Sequence, residues 1–150
     1  MDVVIKKLRA VDIEYFNQLL TVFDKVFEHE SYVRPDGEHL NKLLNQNGFN
    51  VIVAIVNGQV IAGLTAYVLE QYHSIKPILY IQDLAVLTEF QRKGVGSKLM
   101  NFAKVFCMDH NFQLLSVQAE REDVEAVSFY HSLAPAEVLE AIYFAYSTDQ

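Results

Sequence analysis

The stretch Gln91-Arg92-Lys93-Gly94-Val95-Gly96 combines residue types that suit the binding of an anion. Gly94 and Gly96 lack side chains, so the backbone there can take unusual dihedral angles and come close to a ligand. The residues that follow favour a helix, whose first amides have no acceptor and whose dipole places positive charge at this end. Arg92 and Lys93 add two cations to a chain that is otherwise net negative. The pattern predicts a pyrophosphate site, with an ordinary glycine-containing loop as the alternative.

Two other phosphate loops are absent from the sequence. The pattern Gly-x-x-x-x-Gly-Lys-Ser/Thr does not occur, and Gly-x-Gly-x-x-Gly does not follow the first predicted strand. The sequence therefore lacks the main motif that would indicate an ATPase or a dinucleotide-dependent oxidoreductase.

Asp83 and Glu120 are the carboxylates best placed to act on a substrate amine. Asp83 interrupts an apolar strand, where an ionised carboxylate is costly unless it is paired or faces a cavity. It could orient an ammonium group or take its proton through a water; the alternative is a bond to neighbouring backbone. Glu120 follows the apolar run Leu114 to Ala119, at the end where an open α/β sheet usually forms its crevice. Both are predicted to contact a cationic substrate.

Further acidic residues surround these two in sequence. Glu122 extends the acidic run and is a substrate-binding candidate, although Glu122 and Glu125 also fit a solvated face, and Asp123 fits a helix cap. Glu28 and Glu30 follow the first predicted helix and are weaker candidates for a lid over the substrate.

The composition is that of an ordinary globular protein. The chain has 150 residues, 51% of them hydrophobic and 21% charged, which indicates one domain with one main core. Its 12 Lys and Arg against 19 Asp and Glu give a net charge of -7, which disfavours nucleic acid and favours a cationic partner, although many proteins are acidic merely to stay soluble. No apolar run reaches membrane length, so we expect no membrane partner.

Cys107 and the five histidines do not suggest a nucleophile or a metal site. A lone cysteine in a helix usually serves packing, and the histidines lack the close pairings of zinc sites, so we expect no metal. One cysteine also allows no internal disulfide, and no signal sequence is visible at the N-terminus. We expect a cytoplasmic protein.

Hydrophobic periodicity predicts the element order β-α-α-β-β-β-α-β-α-β. The predicted strands are Val3 to Leu8, Asn50 to Val56, Gln59 to Leu69, Ile78 to Val86, Leu114 to Ala119 and, with a helix as the alternative, Ala136 to Ser147. The predicted helices follow the caps Asp12 and Asp36, run from Val95 to about His110, and run from Val124 to Leu133. Asn57-Gly58 predicts a tight hairpin turn. A right-handed crossover over residues 78–119 makes two strands parallel and adjacent.

Gln91-x-x-Gly94-x-Gly96 after the strand Tyr80 to Val86 resembles the acetyl-CoA signature Gln/Arg-x-x-Gly-x-Gly/Ala of the GNAT superfamily of N-acetyltransferases. The resemblance extends along the whole chain in element order. It implies an α/β fold with a mixed, mostly antiparallel sheet, a central parallel strand pair and helices on both faces. It also implies one acetyltransferase domain over residues 1–150.

A narrower resemblance joins four segments to the aminoglycoside 3-N-acetyltransferases of the gentamicin-resistance type. The segments are Tyr80 to Val86, Ser116 to Glu120, Ala126 to Tyr130 and Leu20 to Phe27. This likeness implies an aminoglycoside as acceptor and a role in antibiotic resistance. A polycationic acceptor agrees with the acidic balance of the chain.

The resemblance implies roles for particular residues. The amides of Arg92 to Ser97, including those of Lys93 and Val95, would hold the CoA pyrophosphate, and the backbone of Leu84, Ala85 and Val86 would pair with the pantetheine arm. Tyr130 would be the general acid, although it could instead be a packed aromatic residue. The amine would attack acetyl-CoA directly, without an acyl-enzyme intermediate. A homodimer is a family expectation.

Ala134-Pro135-Ala136 stands where the superfamily commonly has a Leu-Gly-Phe turn, so the course of the last strand departs from the family pattern. Two other functions stay open. One is acetylation of a different amine, such as a polyamine, a small metabolite or a protein amine. The other is a non-catalytic acyl-CoA sensing module.

Overall fold

Residues 1–29 and 33–149 are described by the computed structural model of the chain. They fall into two compact units, Met1–Gln118 and Ala119–Gln150. Glu30, one of the predicted lid residues, lies outside the described residues.

The first unit is organised around one sheet, which has five strands in the described part of the chain. The strands are β1 (Val4–Lys7), β2 (Phe49–Val56), β3 (Gln59–Leu69), β4 (Ile78–Val86) and β5 (Leu114–Val117). They lie side by side in sequence order, and every neighbouring pair is antiparallel except β4 and β5, which are parallel. The predicted mixed, mostly antiparallel sheet with one parallel pair is confirmed, and β5 forms an edge of this sheet.

Helices cover both faces of the sheet, as predicted. The helices α1 (Ile13–Val26) and α2 (Gly37–Leu44) pack on one face, and α3 (Val95–Asp109) packs on the other. Strand β2 shows why the sheet is two-sided: Val51 and Val53 belong to the core under α1, whereas Ile52 and Ala54 belong to the core under α3. Because successive side chains point to opposite faces, a continuous apolar strand has to be covered on both sides.

Two of the three local signals in this unit act as predicted. Asn57 and Gly58 both have positive φ angles (50° and 76°), which is the geometry of the predicted hairpin turn. The Asp36 carboxylate accepts a hydrogen bond from the His39 amide at 3.0 Å and caps α2. Asp12 occupies the cap position of α1 but makes no capping bond. Its carboxylate instead accepts hydrogen bonds from the Arg9 amide (2.7 Å) and from the Lys6 ammonium group (3.1 Å).

The second unit contains the helix α4 (Val124–Ser132), which the Asp123 carboxylate caps by accepting a hydrogen bond from the Ala126 amide at 3.2 Å. The predicted strand over residues 136–147 is wrong, because no strand is assigned between residues 133 and 149. Its apolar residues fit the period of a strand as well as that of a helix, but a strand also needs a hydrogen-bonded neighbour. The large apolar side chains of this segment are instead exposed: Val138, Leu139, Ile142, Tyr143, Phe144 and Tyr146.

None of the described helices combines the length and the apolar content that crossing a membrane requires.

Candidate active site

The loop after β4 presents a group of backbone amides. A short 3-10 turn at Thr88–Phe90 leads to Arg92, whose φ angle is 60°, and to Gly94, whose φ angle of 81° places it in the left-handed region at the start of α3. The first helical hydrogen bond joins the Lys98 amide to the Gly94 carbonyl at 3.1 Å. The amides of residues 95–97 precede that bond, so they have no acceptor within the helix. They lie at the end of α3 where the sequence predicts an anion site.

One side chain of this loop supports the backbone, and two others carry positive charge. The Gln91 side-chain amide donates to the Val86 carbonyl at 2.8 Å, so this predicted cofactor-binding side chain holds the loop to the end of β4. Arg92 and Lys93 are exposed, and the Lys93 ammonium group lies 5.8 Å from the centre of the Phe90 ring. The two cations therefore lie beside the amides, exposed to solvent.

Strand β4 leaves one side of its backbone open beside this loop. Its parallel pairing with β5 runs only from Ile78 opposite Leu114 to Ile81 opposite Val117. The predicted cofactor-binding residues 84–86 of β4 pair with β3 on the other side and have no strand partner toward β5 in the described part of the chain. An extended ligand arm can add to such an open edge as an extra strand would.

A bulge in β4 brings two successive side chains to one face. Thr65 of β3 pairs with Asp83, but the next residue, Ala66, pairs with Ile81, so Gln82 is the extra residue. Gln82 and Asp83 both line the cavity under α1 and α2. Without the bulge, these neighbours would point to opposite faces of the sheet. The bulge therefore aims the Asp83 carboxylate into the cavity.

This cavity has a volume of about 560 Å³, which is in the range of small-molecule sites. Its wall on the helix side is mostly apolar and is formed by Phe16, Leu20 and Phe23 of α1 and by Leu40 and Leu43 of α2. The polar lining residues are Thr65 of β3, Gln82 and Asp83 of β4, His39 of α2, and His29. The cavity thus offers apolar surface together with a small set of polar contacts.

Asp83 is half-buried and makes no hydrogen bond or ion pair with the residues that the structure describes. Burial raises the pKa of its carboxyl group above the ordinary value, and the charge of nearby His29 acts in the opposite direction. His29 is held in turn by Asp24, whose carboxylate lies 3.1 Å from the ring nitrogen Nδ1. The other Asp24 oxygen accepts a hydrogen bond from the Arg34 guanidinium group at 2.7 Å. A carboxylate with this surrounding is suited to bind an ammonium group and to exchange its proton.

Four polar residues of this cavity were missed from sequence. They are His29, His39, Thr65 and Gln82, which carry no sequence signal that marks them for a site. Their positions depend on the course of the chain after α1, on the register between β3 and β4, and on the bulge. None of these can be read from residue types alone. Glu28, the predicted lid residue, is exposed beside His29 and has a positive φ angle of 54°.

The other predicted site residues lie in the unit Ala119–Gln150. Tyr130 is half-buried in α4, with its ring centre 5.1 Å from that of Phe129. Glu120 and Glu122 are exposed in the turn before α4, where the Glu120 carbonyl accepts a hydrogen bond from the Asp123 amide at 3.0 Å. Within its own unit, this turn presents two carboxylates to solvent.

Cys107 is buried in the core between α3 and the sheet, which confirms its packing role. Burial raises the pKa of its thiol to about 11, so the thiolate that a nucleophile needs is scarce at neutral pH. Among the described residues, no three potential ligands cluster to form a metal site.

Comparison with known proteins identifies the family. The sequence matches the acetyltransferase (GNAT) family over residues 13–134. The chain belongs to the GNAT acetyltransferase family. It is therefore an acetyltransferase, and acetyl-CoA is the acetyl donor of this family.

Solved structures of two aminoglycoside acetyltransferases are similar to this chain. Aminoglycoside acetyltransferase meta-AAC0020, from an uncultured soil metagenomic sample, is 43% identical in its trehalose complex, with a TM-score of 0.96 over 98% of this chain and 97% of that chain. It has also been solved with sisomicin. Aminoglycoside acetyltransferase HMB0005, also from an uncultured soil metagenomic sample, is 27% identical, with a TM-score of 0.88 over 98% of this chain and 100% of that chain.

A curated relative from Bacillus subtilis (strain 168) is the uncharacterized N-acetyltransferase YhfO. It is 23% identical over 126 residues, which cover 84% of this chain and 85% of the relative.

Proposed function

We propose that this GNAT enzyme transfers the acetyl group of acetyl-CoA to an amino group of an aminoglycoside, at the 3-N position. The observation that carries the proposal is the half-buried Asp83 carboxylate, which the β4 bulge aims into a cavity of about 560 Å³. A half-buried carboxylate that has no hydrogen-bond or ion-pair partner among residues 1–29 and 33–149 suits a cationic acceptor. The 43% identity to an aminoglycoside acetyltransferase supports the same acceptor class.

The residues around α3 fit the acetyl donor. The amides of residues 92–97, opened by Gly94 and Gly96, would hold its diphosphate, and the Arg92 and Lys93 side chains would neutralise the charge. The open backbone side of residues 84–86 would hold its extended arm. Gln91 supports this site by fixing the loop to Val86. When bound, acetyl-CoA supplies a thioester carbonyl that an amine can attack.

Three side chains would carry the chemistry of transfer. Asp83 binds the acceptor ammonium group and takes its proton through a water, so that the neutral amine can attack directly. Tyr130 donates its phenolic proton to the leaving sulfur, since a phenol is acidic enough for this step. Glu120 is a second candidate for the base. Glu120, Glu122 and Glu28 would bind the remaining ammonium groups of a polycationic acceptor, as exposed carboxylates can.

We also propose that the two units act as one acetyltransferase domain and that the enzyme is a homodimer. The family match from residue 13 to residue 134 spans the boundary between the units. Several large apolar side chains of segment 138–146 are exposed, and contiguous exposed apolar surface often marks a protein–protein interface. A second copy would cover it. Light scattering coupled to gel filtration tests this: a dimer is expected, and a monomer at all concentrations would contradict it.

Thermal unfolding followed by turnover tests the proposed function. Acetyl-CoA should raise the melting temperature because it binds the native state. A panel of amines, with sisomicin and gentamicin beside spermidine and a lysine peptide, should then show turnover only with the aminoglycosides. Asp83→Asn should lower turnover about 100-fold and leave acetyl-CoA affinity unchanged.

The same panel separates the alternatives. Turnover of spermidine or of the peptide alone would identify a GNAT enzyme for another amine. Acetyl-CoA binding without turnover of any amine, and with no effect of Tyr130→Phe on that binding, would identify a sensing module. Either result would refute the aminoglycoside proposal.

A further inference from the structure

Thr65 is a buried polar residue of the cavity that the fold leaves unsatisfied. Thr65 is only 5% exposed, and its hydroxyl oxygen Oγ1 has no hydrogen-bond partner among the described residues. A buried hydroxyl without a partner costs roughly 1–3 kcal/mol. A valine of nearly the same shape would avoid that cost, so the fold itself gives no reason for a threonine here.

The position of Thr65 supplies such a reason. Thr65 lies directly opposite Asp83 in the β3–β4 register, at the point where the bulge begins, and both residues line the cavity. The side chains of α1 and α2 that line the cavity are apolar apart from His39. Thr65 and Asp83 therefore place a hydroxyl and a carboxylate side by side on the sheet. A rotation about χ1 to another staggered position moves Oγ1 by about 120°, so that the hydroxyl can be presented to the cavity.

We propose that Thr65 is an acceptor-binding residue, which together with Asp83 forms a two-acceptor site for a single primary ammonium group. This inference rests on the proposed function, since it takes the cavity as the acceptor site. The two groups are complementary. The Asp83 carboxylate attracts the charged amine, whereas the Thr65 hydroxyl accepts an N–H hydrogen bond both before and after the amine loses its proton. Thr65 thus keeps the amine in place through the step in which its attraction to the carboxylate weakens.

Asn50 provides a matched control. Its side-chain nitrogen Nδ2 is also buried without a hydrogen-bond partner in the described part of the chain. Asn50 precedes Val51 on β2, so its side chain falls on the face of Ile52 and Ala54, under α3. It does not line the cavity. Removal of its polar group should therefore leave acceptor kinetics unchanged.

The test compares Thr65→Val, Thr65→Ser and Asn50→Leu with the wild type, using sisomicin and acetyl-CoA. Thr65→Val should lower kcat/KM for sisomicin about 10-fold to 100-fold, the range for a lost hydrogen bond to a charged group, and leave the KM for acetyl-CoA unchanged. Thr65→Ser keeps the hydroxyl and should stay within about threefold of the wild type. The melting temperature of Thr65→Val should be equal to or above that of the wild type, because an unsatisfied hydroxyl has been removed.

Each outcome decides the proposal. An active wild type with unchanged kcat/KM in Thr65→Val would overturn this inference alone. A fall in activity accompanied by a lower melting temperature, or matched by Asn50→Leu, would assign Thr65 a structural role and also overturn it. A wild type that neither acetylates sisomicin nor gains thermal stability from it would overturn the proposed function and this inference together.

Discussion

Replacing Gly94 with alanine should have two separate effects: backbone strain at the start of α3, and weaker binding of the acetyl donor. Gly94 has a φ angle of 81°, and a β-carbon added there would meet no atom within 4 Å. The cost to the free protein is therefore the left-handed conformation alone, about 1–2 kcal/mol. For a chain of this length, that lowers the melting temperature by roughly 2–8 °C. The added methyl group would, however, occupy space that a diphosphate at these amides needs.

Gly58→Ala is the matched control for this change. Gly58 has a φ angle of 76°, its added β-carbon would also meet nothing within 4 Å, and it lies in the β2–β3 turn away from the loop. Both variants should lose similar stability without ligand. Acetyl-CoA at about 100 times its dissociation constant stabilises the native state by about 2.7 kcal/mol. In thermal unfolding with and without acetyl-CoA, Gly58→Ala should keep this stabilisation and Gly94→Ala should lose most of it. Equal stabilisation of both variants would refute the role given to the α3 amides.

Three further substitutions test separate parts of the structure. Tyr130→Phe should lower kcat about 100-fold with little change in the KM for acetyl-CoA, and an unchanged kcat in steady-state assays would remove the general-acid role. Burial raises the pKa of Asp12, but the hydrogen bonds and the positive charges of Arg9 and Lys6 together outweigh it and lower that pKa, so Asp12→Asn should cost about 1–3 kcal/mol at neutral pH. This difference in the free energy of unfolding should vanish as pH falls through that lowered pKa, and a difference independent of pH would contradict the assignment. Gly63→Ala should lower the free energy of unfolding, measured in urea, by about 1–3 kcal/mol, because its β-carbon would lie 2.8 Å from the Ile52 carbonyl oxygen. A variant as stable as the wild type would instead show that β2 can shift to make room.

Most of the fold could be predicted from the sequence, because many of its elements depend on local signals. The hairpin at Asn57-Gly58 depends on two adjacent residues that tolerate positive φ angles, which is a purely local property. The strand Ile78–Val86 was predicted with its observed bounds, because its apolar run is bounded by Pro77 and by the loop before α3. The C-terminal strand was wrong, because the period of residues 136–147 says nothing about whether a neighbouring strand is available.

The candidate site was less predictable, because much of it depends on how separate segments pair. A single acidic residue in an apolar strand was enough to find Asp83. The bulge that aims its carboxylate, however, exists only in the register between β3 and β4. Thr65 looks like any strand residue until its missing hydrogen bond is seen. His29 enters the cavity through the course of the chain after α1, for which no residue pattern is available.

The most direct measurement of the central claim is a crystal structure of the enzyme with acetyl-CoA and sisomicin. The account predicts that the diphosphate lies within hydrogen-bond distance of the amides of residues 95–97, and that one sisomicin amine lies between Asp83 and the thioester. A diphosphate bound elsewhere on the protein, or an aminoglycoside bound away from Asp83, would contradict it.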